Sequence, residues 1–214
     1  MTHIIWDWNG TLLDDTQAAL NTLNAMLARR GVRPMALEFY RANFAFPVRS
    51  FYAQIGFELE KEDWDLLAKE YHDSYAAEPK SLNQEAIAAL EAVKASGARQ
   101  SLVSALRQDL LDEAMEEFGI GGYMEHIRGT DNLDGASKLE RARELLGELT
   151  AGGARRSDVV MIGDAVHDKE VADALGVRCV LCAQGSHAAD RLRGLAPTGD
   201  TLMEAVGLTL SGHF

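Results

Sequence analysis

The sequence is short of cysteine, proline and positive charge, and each shortage excludes a class of protein. Only 2 of its 214 residues are cysteine, which excludes a fold built on disulfide bridges. Only 4 are proline, and no compositional bias marks a disordered or repetitive segment. Lys and Arg number 21 against 33 Asp and Glu, a net charge of −12. This charge disfavours nucleic acid and anionic membranes as partners, so we expect a small-molecule partner.

Long apolar runs are also absent from the sequence. The longest apolar stretches have the length of strands and are too short to cross a membrane. Residues 1–5 lack the charged start and the long apolar stretch of a signal peptide. We therefore expect a cytoplasmic protein without a membrane partner.

The two cysteines form a C-x-x-C pattern at Cys179 and Cys182, inside a β-like segment. The pattern is compatible with redox or metal chemistry. Residues three apart on a strand point to opposite faces, however. Two buried structural thiols are therefore the favoured interpretation.

Short apolar segments alternate with amphipathic helical patterns along most of the chain. Strands are predicted over residues 2–8, 99–104, 126–129, 158–163 and 177–183. Helices are predicted over residues 83–96, 108–118 and 137–149, from apolar positions spaced three and four apart. This alternation predicts an α/β fold with a doubly wound parallel sheet.

One long helical segment, residues 14–79, interrupts the alternation after the first strand. It contains predicted helices over 16–30 and 61–76, with a Pro-containing turn over 44–50 between them. We interpret the segment as a small inserted helical cap domain and expect the core to comprise 1–13 and 80–214. An aromatic and apolar stripe on the second helix is predicted to form the interior of the cap: Trp64, Leu67, Ala68 and Tyr71.

Acidic residues follow two of the predicted strands. Asp7 comes after an apolar strand, in a polar turn that contains Asn9 and Gly10. Asp164 follows another strand, and Asp168 lies where the next helix begins. Ligands of open α/β sheets bind at the carboxyl edge, to which these strands deliver their last residues. A sparse set of carboxylates is typical of Mg²⁺ sites, which keep room for water and a substrate phosphate.

These segments resemble two motifs of a known family. D-W-N-G-T at 7–11 and G-D-A-V-H-D at 163–168 resemble the first and last motifs of the haloacid dehalogenase superfamily of phosphatases. Ser104 at a strand end and Lys138 at a helix start match the two motifs between them. Four motifs in the family's order are more specific than any one. The likeness spans essentially the whole chain, and the position of the helical cap resembles the phosphoglycolate phosphatase-like branch.

The resemblance implies a metal site and a nucleophile. Asp7 would attack phosphorus and form an aspartyl-phosphate. Asp7 and Asp164 would bind Mg²⁺ together with the backbone carbonyl of Asn9. Asp168 would support the metal and Lys138. The expected activity is hydrolysis of a small phosphorylated metabolite.

The resemblance also implies how the substrate is held. Ser104, Lys138 and the turn formed by Gly10 and Thr11 would bind the phosphate oxygens. Its remaining contacts are expected from cap and loop residues, for which the candidates are Arg49, Arg107, Asn132, His167 and His187.

The chain departs from the family at Asn9, where the phosphatases usually carry an Asp that protonates the leaving group and then activates water. Asn cannot titrate or supply that proton. His167 or His187 could substitute as the acid and base. Deamidation of the Asn9-Gly10 pair could instead generate the missing Asp. A third hypothesis is a protein that binds or senses a phosphorylated metabolite without efficient turnover.

Two subclasses with altered first motifs offer further alternatives. Haloacid dehalogenases are metal-free and would have no use for Asp164 with Asp168, so this alternative is rejected. Phosphonoacetaldehyde hydrolases resemble the chain in their first motif and use a cap lysine as a Schiff base. Lys61, Lys69 or Lys80 would have to take that role here.

Overall fold

The computed structural model, which describes residues 1–131 and 138–212, is organised around a parallel β-sheet. Within the described residues, its strands are β1 (His3–Trp6), β4 (Arg99–Arg107), β5 (Ile127–Thr130), β6 (Val159–Gly163), β7 (Arg178–Cys182) and β8 (Thr198–Gly199). They are ordered β5-β4-β1-β6-β7-β8, and every neighbouring pair is parallel. The fold is therefore the predicted doubly wound α/β architecture, with β1 between β4, which contains Ser104, and β6, which ends just before Asp164.

Helices cover both faces of the sheet. The helices of the core are α5 (Ala86–Ala95), α6 (Gln108–Glu117), α7 (Lys138–Ala151), α8 (Val166–Leu175), α9 (Ala189–Leu192) and α10 (Leu202–Ser211). Side chains alternate along β1, so Ile4 and Trp6 join one apolar cluster and Ile5 joins the other. The first cluster includes residues of α5, α6 and α10, and the second includes residues of α7 and α8. Burial on both faces explains why β6, and β1 after His3, are continuously apolar.

The helical segment has an apolar interior of its own. Its helices are α1 (Thr16–Arg29), α2 (Leu37–Asn43), α3 (Val48–Ile55) and α4 (Trp64–Ala77). Tyr40, Phe51 and Leu67 are buried in a cluster separate from those of the sheet. Two short antiparallel strands, β2 (Leu13–Asp14) and β3 (Ser81–Leu82), join the two ends of this segment.

The structure differs from the sequence prediction mainly where elements are short. The predicted turn over 44–50 is shorter, because α3 already begins at Val48. The sequence analysis missed α2 and α3, which have seven and eight residues, too few to establish a helical period. It also missed β2, β3 and β8, which have two residues each, the four-residue helix α9 and the ten-residue helix α10. Strand β4 continues past Ser104 to Arg107, with a register irregularity after Val103.

The two cysteines lie in β7 as free, buried thiols. Cys179 belongs to one apolar cluster and Cys182 to the other, as expected for opposite faces of a strand. Burial raises the pKa of the Cys182 thiol to about 12, so it stays protonated at neutral pH. The structure therefore favours the interpretation as structural thiols. Among the helices of the described residues, none combines the length and apolar character needed to span a bilayer.

Candidate active site

Three aspartates meet at the carboxyl edge of the sheet. Asp7 follows β1, and Asp164 follows the neighbouring strand β6. Asp168 lies in the first turn of α8, directly after the Asp164 loop. All three are buried, and each offers an oxygen within 4.8 Å of those of the other two. The structure thus brings together the acidic residues that the sequence predicted at this edge.

Lys138 is hydrogen-bonded to two of the three aspartates. It is the first residue of α7, and its Nζ donates hydrogen bonds to Asp7 Oδ1 and, at 2.7 Å, to Asp168 Oδ1. Although burial acts to lower it, the carboxylates of Asp168 and Asp7 hold the pKa of Lys138 above its ordinary value. Lys138 is therefore an ammonium ion with two anionic partners, placed to contact a group bound at Asp7.

The cluster has more negative than positive charge. Three carboxylates face one ammonium group, which leaves two negative charges when all are ionised. Burial raises the pKa of Asp7 to about 7, and burial with the nearby Asp7 and Asp168 carboxylates raises that of Asp164. A divalent cation would remove this imbalance, and carboxylate oxygens are the ligands that Mg²⁺ prefers. The donor set therefore fits magnesium.

Neighbouring groups hold Asp164 and Asp168 in place. The Thr11 hydroxyl donates to Asp164 Oδ1 at 3.2 Å, and the Ser186 amide donates to Asp164 Oδ2 at 2.5 Å. The Ala165 amide donates to Asp168 Oδ2 at 2.9 Å. Each carboxylate keeps a fixed orientation before any ligand arrives, as a preorganised site requires.

Gly10 allows the loop after β1 to pass close to Asp164. Its φ is 75°, in the left-handed region that favours glycine. A Cβ at this position would lie 2.4 Å from Asp164 Oδ2, so a side chain would displace the carboxylate. The glycine in the predicted phosphate-binding turn is therefore required by the close approach of the two loops.

Asn9 belongs to a hydrogen-bonded network that the sequence analysis did not find. Its Nδ2 donates to Asp15 Oδ2 at 2.8 Å and to the Tyr75 hydroxyl at 3.1 Å. Tyr75 in turn donates to Asp15 Oδ2 at 2.5 Å, and the Gly10 amide donates to Asp15 Oδ1 at 2.7 Å. Both amide hydrogens of Asn9 are thus committed to acceptors. The remaining group of the amide, Oδ1, lies 3.5 Å from the hydroxyl of buried Ser104.

Asp15 is a functional candidate with only a weak signal in the sequence. It stands immediately before α1, where an Asp usually caps a helix. In the structure it makes no side-chain cap hydrogen bond, because its carboxylate turns toward Asn9 and Tyr75. Burial raises the pKa of Asp15, while its hydrogen bonds act in the opposite direction. The sequence contains one indication of a further role for Asp15. Two aspartates, Asp14 and Asp15, precede the helix, whereas a helix cap needs only one.

Tyr75 connects α4 to the loop that carries Asn9, and its replacement tests the network. We expect Tyr75→Phe to lower the free energy of unfolding by about 1–3 kcal/mol, because a buried carboxylate loses a donor. Urea denaturation measures this change. Tyr71→Phe is the matched control, since Tyr71 lies one turn earlier on α4 and is no part of the Asn9–Asp15 network. Equal losses in both variants would show that the Tyr75 hydroxyl has no special role.

A cavity of about 190 Å³ extends from the aspartates toward the helical segment. The polar groups at its base include Asp7, Asn9, Lys138, Asp164 and Asp168. Its upper wall is largely aromatic and comprises Tyr40, Phe44, Phe46, Tyr52, Trp64, Tyr71 and Tyr75. The predicted stripe on α4 thus has two roles, because Leu67 is buried in the interior while Trp64 and Tyr71 also face the cavity.

The two candidate histidines, His167 and His187, differ in their surroundings. His167 lines the cavity, and its ring stacks on Phe46 with centroids 4.5 Å apart. His187 is buried, and its Nδ1 accepts the Val166 amide hydrogen at 2.9 Å. Burial lowers the pKa of His187 to about 4, so the ring is neutral.

Neither arginine proposed from the sequence lines the cavity. Arg49 is exposed, with its guanidinium 5.3 Å from the centre of the Trp64 ring. Arg107 forms an ion pair with Asp109 at 2.5 Å. Asn132 lies outside the described residues, as does residue 137, the first of the helix predicted over 137–149.

The three lysines that the phosphonoacetaldehyde hydrolase hypothesis requires have interaction partners outside the cavity. Lys61 and Lys69 are exposed and pair with Glu58 and Asp73. Lys80 donates to backbone carbonyls at the end of α4, with its Nζ 4.5 Å from the centre of the Tyr75 ring. None of the three lines the cavity. The structure therefore does not favour this alternative.

Comparison with known proteins agrees with this geometry. A family model described as haloacid dehalogenase-like hydrolase matches residues 4–182. The chain is 25% identical to phosphoglycolate phosphatase 1 of Pseudomonas aeruginosa, covering 95% of this chain and 81% of the relative. It is 26% identical to phosphoglycolate phosphatase of Caulobacter vibrioides, covering 85% and 79%.

Solved structures share the fold. A predicted phosphatase from Clostridium acetobutylicum superimposes with a TM-score of 0.79 at 18% identity, covering 98% of both chains. At this level of identity the likeness establishes architecture, and the chemistry has to be argued from the site itself.

Proposed function

Because the chain belongs to the haloacid dehalogenase-like hydrolase family, we propose that it is a magnesium-dependent phosphatase of a small phosphorylated metabolite. One observation carries the proposal: Asp7, Asp164, Asp168 and Lys138 converge at the base of a cavity large enough for a small ligand. The names of the two relatives reported above, both phosphoglycolate phosphatases, support phosphate-ester hydrolysis. The predicted cytoplasmic location is part of this proposal.

Asp7 is the proposed nucleophile. One of its carboxylate oxygens forms a bond to phosphorus while the bond to the leaving oxygen breaks, which gives an aspartyl-phosphate. Water then adds to phosphorus, the bond to Asp7 breaks, and phosphate leaves. Two steps of this kind replace one more difficult displacement by water.

The other residues of the site stabilise the transferred group. The Lys138 ammonium neutralises charge on the phosphoryl oxygens, and the Ser104 hydroxyl binds another of them. The Gly10 and Thr11 amides, predicted from the sequence to share this role, donate instead to Asp15 Oδ1 and to the Trp8 carbonyl. Asp7, Asp164, Asp168 and the backbone carbonyl of Asn9 would hold the metal ion. When bound, magnesium supplies Lewis-acid stabilisation of the developing negative charge.

The cavity provides the environment for this chemistry. Its upper wall comes from α2, α3, α4 and the turn between α2 and α3, and its base comes from the sheet. A bound ester would therefore lie between the helical segment and the sheet edge, shielded from bulk water. Removal of water strengthens every charge interaction at the reacting centre.

We expect phosphate release from small phosphate esters in Mg²⁺ and its loss in excess chelator. Colorimetric phosphate detection over a panel of esters, with Mg²⁺ restored after chelation as the control, measures this dependence. Turnover that persists in chelator would contradict the magnesium role. Mg²⁺-dependent binding of esters without any phosphate release would show a binding protein and overturn the enzymatic proposal.

A further inference from the structure

The wall of the cavity that would face the leaving group is aromatic. Phe44 and Phe46 contribute from the turn before α3, and Trp64, Tyr71 and Tyr75 contribute from α4. Several rings contact one another, with Phe44 and Phe46 centroids 5.5 Å apart and Tyr71 and Tyr75 rings stacked at 5.7 Å. Such a wall recognises apolar and aromatic surface, and aromatic pairs contribute beyond simple burial.

The same wall offers little to a second anionic group. Of the described residues that line the cavity, Lys138 is the one Lys or Arg, and it is already bonded to Asp7 and Asp168 at the base. Two histidines also line the cavity, His72 and His167, and the latter stacks on Phe46 with its Nδ1 3.2 Å from Glu170. A leaving group with a carboxylate would lose water without gaining a permanent cationic partner, which is costly.

The volume suits one ring. An apolar cavity of roughly 150 Å³ accepts benzene. The cavity here measures about 190 Å³ and ends at Asp7 on its polar side. A single ring therefore fits against the aromatic wall when the phosphoryl group sits at the base.

Asn9 sets an independent requirement on the leaving group. Both of its amide hydrogens are bound by Asp15 and Tyr75, so it offers no donor to the leaving oxygen. A leaving group that departs unprotonated must be a weak base. Phenols, with a pKa of about 10, satisfy this far better than aliphatic alcohols, which are closer to water at about 15.7.

We propose that the substrate of this site is an aryl phosphate monoester, with a single aromatic ring held by the wall formed by Phe44, Phe46, Trp64, Tyr71 and Tyr75. This proposal rests on the phosphatase function and names its substrate class. Asp7 bonds to phosphorus as the aryl P–O bond breaks, and the bonding pair leaves on the phenolate, which takes a proton from solvent. Water then releases phosphate and regenerates the Asp7 carboxylate.

The first test compares turnover. With Mg²⁺, kcat/KM for phenyl phosphate should exceed that for 2-phosphoglycolate by about 10²-fold or more, because the leaving group is better and no carboxylate is buried unpaired. Phenol should also appear as a burst equal to the enzyme concentration, since hydrolysis of the aspartyl-phosphate becomes the slow step. A kcat/KM for 2-phosphoglycolate equal to or above that for phenyl phosphate would overturn the aryl proposal while leaving the phosphatase function intact.

The second test uses binding alone and does not depend on turnover. Benzylphosphonate and 3-phosphonopropionate replace the bridging oxygen of the two esters by carbon and cannot be hydrolysed. Calorimetry with Mg²⁺ should show the benzyl compound binding about tenfold tighter or better. Equal affinity, or tighter binding of the carboxylate compound, would overturn the proposal even in an inactive protein. Tighter binding of the benzyl compound without turnover of any ester would support ring recognition and overturn only the phosphatase function.

A pair of variants tests where the aromatic ring of the ligand binds. Phe46→Ala should weaken benzylphosphonate binding by about tenfold and leave 3-phosphonopropionate binding nearly unchanged. Phe39→Ala is the matched control, because Phe39 also belongs to the helical segment but is 43% exposed and outside the cavity. Equal weakening of both phosphonates by Phe46→Ala would show a general disturbance of the cavity and contradict its assignment to the ring.

Discussion

Replacement of Asp7 by Asn is expected to reduce phosphate release by at least about 10⁴-fold, because the nucleophile itself is removed. An amide at this position is a poor nucleophile, and it also removes one of the two anionic partners of Lys138. The measurement is steady-state phosphate release in Mg²⁺, together with intact mass after rapid acid quench. The wild type should show the added mass of a phosphoryl group, and the variant should not.

The matched control is Asp14→Asn, which makes the same chemical change at an exposed neighbouring position. Asp14 lies in β2, and its side chain is not part of the acidic cluster. We expect its activity to stay within about twofold of the wild type. An Asp7→Asn variant that is folded by circular dichroism and retains more than about a tenth of wild-type activity would exclude Asp7 as the nucleophile.

The core of this site was predictable because its residues end long, strongly patterned elements. Asp7 and Asp164 follow largely apolar strands, so their position at the carboxyl edge follows from the parallel fold. The order β4-β1-β6 then places Ser104, Asp7 and Asp164 on three adjacent strands or their ends. Lys138 came from motif order, and the structure places its Nζ in hydrogen bonds with Asp7 and Asp168.

Other features were not predictable because they depend on contacts between distant residues. Asp15 and Tyr75 are 60 positions apart in the sequence. No local sequence pattern predicts that the carboxylate of an Asp at a helix N-cap position points away from its helix. The aromatic residues of α4 follow a helical period that predicts burial, yet Trp64 and Tyr71 also line a cavity. A periodic pattern identifies the buried face of a helix without saying whether that face meets side chains or space for a ligand.

Replacement of Asn9 by Asp is expected to raise turnover of alkyl phosphate esters by about 10²- to 10⁴-fold, the usual contribution of general acid and base catalysis. The new carboxyl group would stand beside Asp15, in place of an amide nitrogen that is now 2.8 Å from Asp15 Oδ2. Two carboxylates this close do not both ionise readily, so the pair retains a proton that can be donated to the leaving oxygen. Steady-state kinetics with an alkyl ester measures the gain.

The gain should depend on the leaving group, since a phenolate needs no proton to depart. For phenyl phosphate we therefore expect a clearly smaller increase in kcat/KM, which reports formation of the aspartyl-phosphate, and equal increases in kcat/KM for both esters would contradict the inference drawn from Asn9. An Asp at position 9 is also one of the products that deamidation would form, so wild-type protein whose Asn9 stays intact at full activity excludes the deamidation hypothesis.

The effect of the Asn9→Asp substitution on stability can be measured separately from its effect on catalysis. Loss of the amide donor to a buried carboxylate should lower the free energy of unfolding by about 1–3 kcal/mol. The double variant Asn9→Asp with Asp15→Asn exchanges the two groups and restores one amide and one carboxylate at the same place. It should recover most of the stability measured by urea denaturation. If the double variant also keeps the faster turnover of alkyl esters, wild-type catalysis is limited by the absence of a carboxyl group at residue 9. If its turnover falls to the wild-type level, the gain in Asn9→Asp came from the proton shared by the two carboxyl groups.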